Sequence, residues 1–164
     1  MLTPTVEEIE IAFSKAKNVN SALKGFLKRE VGGNEAVARF VKDFKAVATS
    51  ARPAVLKAFI EANFPKHIEA FSALARYAHP ELFSSTVEKI ITTYADRFNE
   101  TYKKEGESVE LVDAPKFSSI VKEVSAVVDQ ALTDAGMAGS NFMKLMIFSS
   151  VFEEAVLKEV LLLS

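Results

Sequence analysis

Residues 140–164 read SNFMKLMIFSSVFEEAVLKEVLLLS. Between Phe142 and Phe152 the only polar side chains are Lys144, Ser149 and Ser150. Wound at about 100° per residue, Phe142, Leu145, Met146, Ile147, Phe148 and Val151 share no single face and go round the axis. A helix that is apolar nearly all round is covered by neighbours on several sides. The stretch therefore predicts a central helix with the earlier helices wrapped about it. Lys144, Glu153, Glu154, Lys158 and Glu159 interrupt its apolar run, which argues against a membrane span or a tail anchor. Glu153-Glu154 marks the point where the helix reaches the surface, because unpaired carboxylates are seldom buried.

Immediately upstream, Asp113 and Pro115 open a helix that Gly136 closes, with Phe117, Ile120, Val121, Val124, Val127, Val128 and Leu132 inward. The link Met137-Ala138-Gly139 is short enough to make these last two helices an antiparallel hairpin. Residues 107–114 are the longest connection, and residues 108–112 could be extended within it. A lone strand is marginal, so the expectation is essentially no sheet. Before that connection, Ser85-Thr86-Val87-Glu88 has the capping-box pattern. It predicts a sixth helix through Val87, Ile90, Ile91, Tyr94, Phe98 and Tyr102, stopping at Gly106.

Further towards the N-terminus, His79-Pro80 is a boundary, since the residue before proline avoids the helical region. A fifth helix carries Ile68, Phe71 and Leu74. Pro53 suits the first turn of a fourth, with Val55, Leu56, Phe59 and Ile60 inward and Pro65 breaking it. The third helix has the clearest amphipathic pattern, Val37, Phe40, Val41, Phe44, Val47 and Ala48. A short second one, with Leu23, Phe26 and Leu27 inward, ends at Gly32-Gly33. The first is capped by Thr5-Val6-Glu7-Glu8 and carries Val6, Ile9, Phe13 and Ala16. The fold expected is all-α: one domain over residues 1–164, a globular bundle of about eight helices packed around the apolar C-terminal helix. A chain of 164 residues is long enough to bury such a core, and 49% apolar with 26% charged residues is ordinary for a globular protein.

The residue inventory excludes most catalytic chemistries. There is no cysteine, hence no disulfide, thiol nucleophile or thiolate metal site. The two histidines, His67 and His79, sit at helix ends, and neither lies in the apolar setting that a haem ligand needs. No H-E-x-x-H, no Glu-x-x-His pair and no G-x-S-x-G occurs. Gly32-Gly33 and Gly136-x-x-Gly139 follow no strand and precede no G-K-[ST], so they terminate helices rather than cradle phosphate. The thirteen phenylalanines and the late Met137, Met143 and Met146 fall where core residues belong. No motif carries a resemblance to a known family.

Charge is the one asymmetric property. Residues 11–66 hold eleven Lys/Arg against four acids, a local +7. The net charge is −2, so the rest of the chain carries −9. Lys24, Lys28, Arg29, Arg39 and Lys42 are the candidate partner-binding residues, on short exposed turns or opposite the Phe40/Phe44 stripe. The expected function is non-enzymatic: an interaction or assembly subunit working through protein surfaces, with a protein partner or a second copy of itself. The alternative is a carrier of an apolar ligand or haem in a pocket between the late helices. A nucleic-acid binder using the second to fourth helices comes third, since a net charge of −2 creates no global attraction for polyanions. No cofactor, no metal and no membrane span are expected. MLTPTVEEIE has neither the basic nor the apolar region of a signal peptide, and with no cysteine the expected location is cytoplasmic or otherwise intracellular.

Overall fold

The computed structural model describes residues 52–64, 68, 69, 72, 75, 76 and 79–163, without the side chains of Pro53, Leu56, Asn141 and Phe142. The chain divides into two compact units, Met1–Pro80 and Glu81–Ser164. The three helices expected before residue 51 lie outside the described residues, as do Pro65, Phe71, Leu74 and the side chain of Leu56.

In the first unit, helix α1 spans Pro53–Asn63 and opens on the proline, whose fixed φ suits a first turn. Phe59 and Ile60 are buried and Val55 is half-buried. The helix ends as its sequence requires. Phe64, which precedes Pro65, is extended (φ −86°, ψ 144°), and its N–H donates to the Ile60 carbonyl at 2.7 Å. Beyond it Ile68, Ser72 and Ala75 are helical and buried, spaced four and three apart as on one helix face.

The second unit is built from α2 (Pro80–Asn99), strands β1 (Tyr102–Glu105) and β2 (Ser108–Leu111), α3 (Ala114–Asp134), α4 (Asn141–Val151) and α5 (Glu154–Leu163). Helix α2 starts at Pro80, five residues before the expected cap. Ser85 is therefore not a cap: its hydroxyl donates to the Glu81 carbonyl at 2.6 Å, inside the helix. The reason lies in the buried face. Phe83 and Thr86 extend the stripe of Ile90, Tyr94 and Phe98 by a turn, and Pro80 with Glu81 makes a good first turn.

The expected continuation of α2 to Gly106 is also corrected. The helix stops at Asn99, and Tyr102 begins a two-stranded antiparallel hairpin with Tyr102 opposite Leu111 and Glu105 opposite Ser108. Two residues turn the chain. Gly106 has φ 57° and among the described residues none other than glycine has a positive φ, which fits the type II′ pattern with glycine first. Lys103 faces Glu110 across the ladder, a favourable opposite-charge pair. The sheet was missed because residues 108–111 alternate and residues 102–105 do not. A strand needs a partner, and the partner here resembles the frayed end of a helix.

Thr101 joins the helix to the hairpin. It is fully buried, its hydroxyl donates to the Phe98 carbonyl at 2.7 Å, and its own carbonyl accepts the N–H groups of Val112 and Asp113. Asp113 then caps α3, accepting the Lys116 N–H at 3.1 Å. All the α3 positions expected inward are buried except Val127, which is half-buried. The end of α3 is a Schellman motif. The Met137 N–H reaches the Leu132 carbonyl, the Gly136 N–H reaches that of Thr133, and Gly136 takes φ 76°.

Ser140 caps α4, accepting the Met143 N–H at 3.3 Å. The all-round burial read from the sequence is present: Met143, Leu145, Met146, Ile147 and Phe148 are all buried. Each such side chain contributes about 1.5–3 kcal/mol on burial, more than a cap contributes. Yet the stretch is two helices, not one. Phe152 is extended (φ −109°, ψ 140°), and α5 restarts with the Glu153 carbonyl accepting from Val156 and Leu157. Two causes act together. The hydroxyls of Ser149 and Ser150 both donate to the Met146 carbonyl at 2.9 Å, a competition that weakens a helix. The break also seats Phe152 in an aromatic cluster. Its ring meets Phe98 edge-on at 5.1 Å and Phe148 at 6.2 Å, while Phe117 packs on Phe98 at 5.4 Å and on Tyr102 at 6.3 Å. A lost backbone hydrogen bond costs about 1 kcal/mol net, whereas burying Phe152 and making two edge-on contacts is worth about 3–6 kcal/mol.

Candidate functional site

The five basic residues chosen from the sequence, Lys24, Lys28, Arg29, Arg39 and Lys42, lie outside the described residues, as does His67. His79 is half-buried at the end of a helical segment, its N–H donating to the Ala75 carbonyl at 3.0 Å. Met143 and Met146 are buried in α4 and Met137 is half-buried in the α3–α4 link. Glu153 lies where the sequence suggested, at the surface, and Glu154 is half-buried. Glu153 is exposed and pairs with Lys104 of β1, and Glu154 pairs with Lys158 one turn on, at 3.7 Å.

Three arrangements in the second unit bring polar side chains together. The first is Lys144, which the sequence placed alone in an apolar run. Its Nζ donates to the Ser125 hydroxyl at 2.6 Å and to Asp129 Oδ2 at 3.2 Å, and it stands 5.8 Å from the Phe148 ring centre. The geometry ties α4 to α3 and lets an apolar helix carry one cation along its stem.

The second is the line of ion pairs across the outside of α2 and α3. Arg97 meets Glu123 at 2.7 Å and also covers the Tyr94 ring at 5.4 Å. Lys116 meets Glu100 at 2.7 Å. The hydrogen bond and charge of Lys116 hold the Glu100 carboxyl below the usual carboxylate range. Both pairs are exposed and contribute little to stability. On the hairpin, burial pushes the Tyr102 hydroxyl up, and that hydroxyl donates to Asn99 at 3.3 Å.

The third is a groove of about 430 Å³ between α2 and α3. It is lined by Ser85, Thr86 and Lys89 of α2 and by Ala126, Val127, Gln130, Ala131 and Asp134 of α3. Gln130 donates to Asp134 at 2.8 Å. The small side chains of Ala126 and Ala131 create the space, and nothing in the sequence periodicity distinguishes them from any other outward alanine. The lining has one charge of each sign and no cluster that would activate a nucleophile.

Among the described residues no three of His, Cys, Asp and Glu stand close enough to hold a metal ion. No buried side-chain polar atom among them lacks a partner. No helix among them is long and apolar enough to cross a membrane. Comparison of the chain with protein-family models, with curated proteins and with solved structures finds no match.

Proposed function

We propose that this protein is a non-enzymatic assembly subunit that associates head to tail, the basic stretch of one copy meeting the acidic C-terminal unit of the next. The observation that supports this reading is the segregation of charge. Residues 11–66 carry +7, whereas Glu81–Ser164 holds eight Lys/Arg against fourteen acids, a net −6. The ion pairs described within that unit join one acid to one cation each, so they leave its excess of carboxylates untouched. Glu81, Glu88, Asp96 and Glu107 are among the exposed acids available to an external cation. A contact of basic on acidic surface is heterologous, and repeated it builds rings or filaments.

Charge contacts of this kind are screened over a Debye length of about 8 Å at physiological salt. Light scattering at low and high salt tests the reading directly. The wild type is expected to associate at low salt and to dissociate as salt rises. Reversing Arg39→Glu together with Lys42→Glu is expected to abolish association and leave thermal stability nearly unchanged. A titration with oligonucleotides of unrelated sequence distinguishes a polyanion partner, for which salt-sensitive binding of every sequence is expected instead. A wild type that stays monomeric at high concentration and binds no polyanion overturns the proposal.

A further inference from the structure

No further inference is drawn: the strongest candidate, the groove between α2 and α3 lined by Thr86, Lys89, Ala126, Val127, Gln130 and Asp134, has small side chains and one charge of each sign in its lining, and nothing in the structure shows what covers it.

Discussion

Helices α2 and α4 bury comparable sets of large side chains by different means. In α2 the buried residues Phe83, Thr86, Ile90, Tyr94 and Phe98 recur every three or four positions, and the outer half of the helix is exposed. In α4 four consecutive residues, Leu145 to Phe148, are buried, and Lys144, Ser149, Ser150 and Val151 are half-buried. A one-sided helix announces its inner face through its period. An all-round apolar helix announces only that it is covered, not by what, nor how far it runs straight. The difference appears at their ends. Helix α2 gains a turn at its N-terminus because its stripe extends there, while the apolar run of α4 breaks at Phe152, just ahead of Glu153 and Glu154.

The sharpest way to break this contrast is to empty one site on each helix. Phe148→Ala is expected to destabilise the protein by about 3–5 kcal/mol, the range for a fully buried aromatic. Ile91→Ala on the exposed side of α2 is expected to change stability by no more than about 0.5 kcal/mol, since Ile91 is 49% exposed. Urea denaturation of both variants measures the difference. A loss below about 1 kcal/mol at Phe148 would mean that α4 is not central to the folded chain.

Two smaller effects concern how each helix ends. Gly136→Ala keeps space for the added methyl, which meets nothing within 4 Å, but forces an L-residue to φ 76°. The expected cost is about 1–2 kcal/mol, read from the same denaturation curves. If the cost is absent, the Schellman geometry at the end of α3 is wrong. At the end of α2, Thr101→Val preserves shape and removes the hydroxyl that reaches the Phe98 carbonyl. The expected loss is about 1 kcal/mol, because that carbonyl keeps the Thr101 N–H. A neutral result would show that the junction between α2 and the hairpin is held by its backbone alone.

The smallest effect is electrostatic. Glu100 has its carboxyl pulled below the ordinary 4.5 by Lys116, so folding favours the ionised form. Its contribution is present above pH 4.5 and is lost as the pH falls through the lower folded value. Glu100→Gln should flatten that part of the stability profile slightly and do nothing at neutral pH beyond removing one exposed pair. Thermal melts across the acid range test the sign. A variant that loses more stability with acid than the wild type would reverse the assignment.

Much of the second unit was legible before any coordinates. The opening of α3 at Asp113, its stop at Gly136 and its inner face are local, set by a hydrogen-bonding side chain, by φ and by period. The capping-box pattern at Ser85 was legible and misleading. A serine inside a helix satisfies itself on the carbonyl four residues back, as Ser85 does, so the pattern alone does not place a start. In the groove, Ala126 and Ala131 were illegible, because an absence of side chain has no period.

Composition, period and punctuation were enough to establish the predominantly helical character of the described residues, the burial of the apolar residues between 143 and 148 and the segregation of the chain's charge. These are local or additive properties, so one strand of text contains them. The hairpin of residues 102–111, the break at Phe152 and the ties of Lys144 depend on residues brought together from afar. β1 is a strand only because β2 returns beside it, and Phe152 leaves the helix for a ring that sits on α2, at Phe98. The balance there is between about 1 kcal/mol of local hydrogen bonding and several kcal/mol of packing, and the packing partner is not written next to the residue it moves.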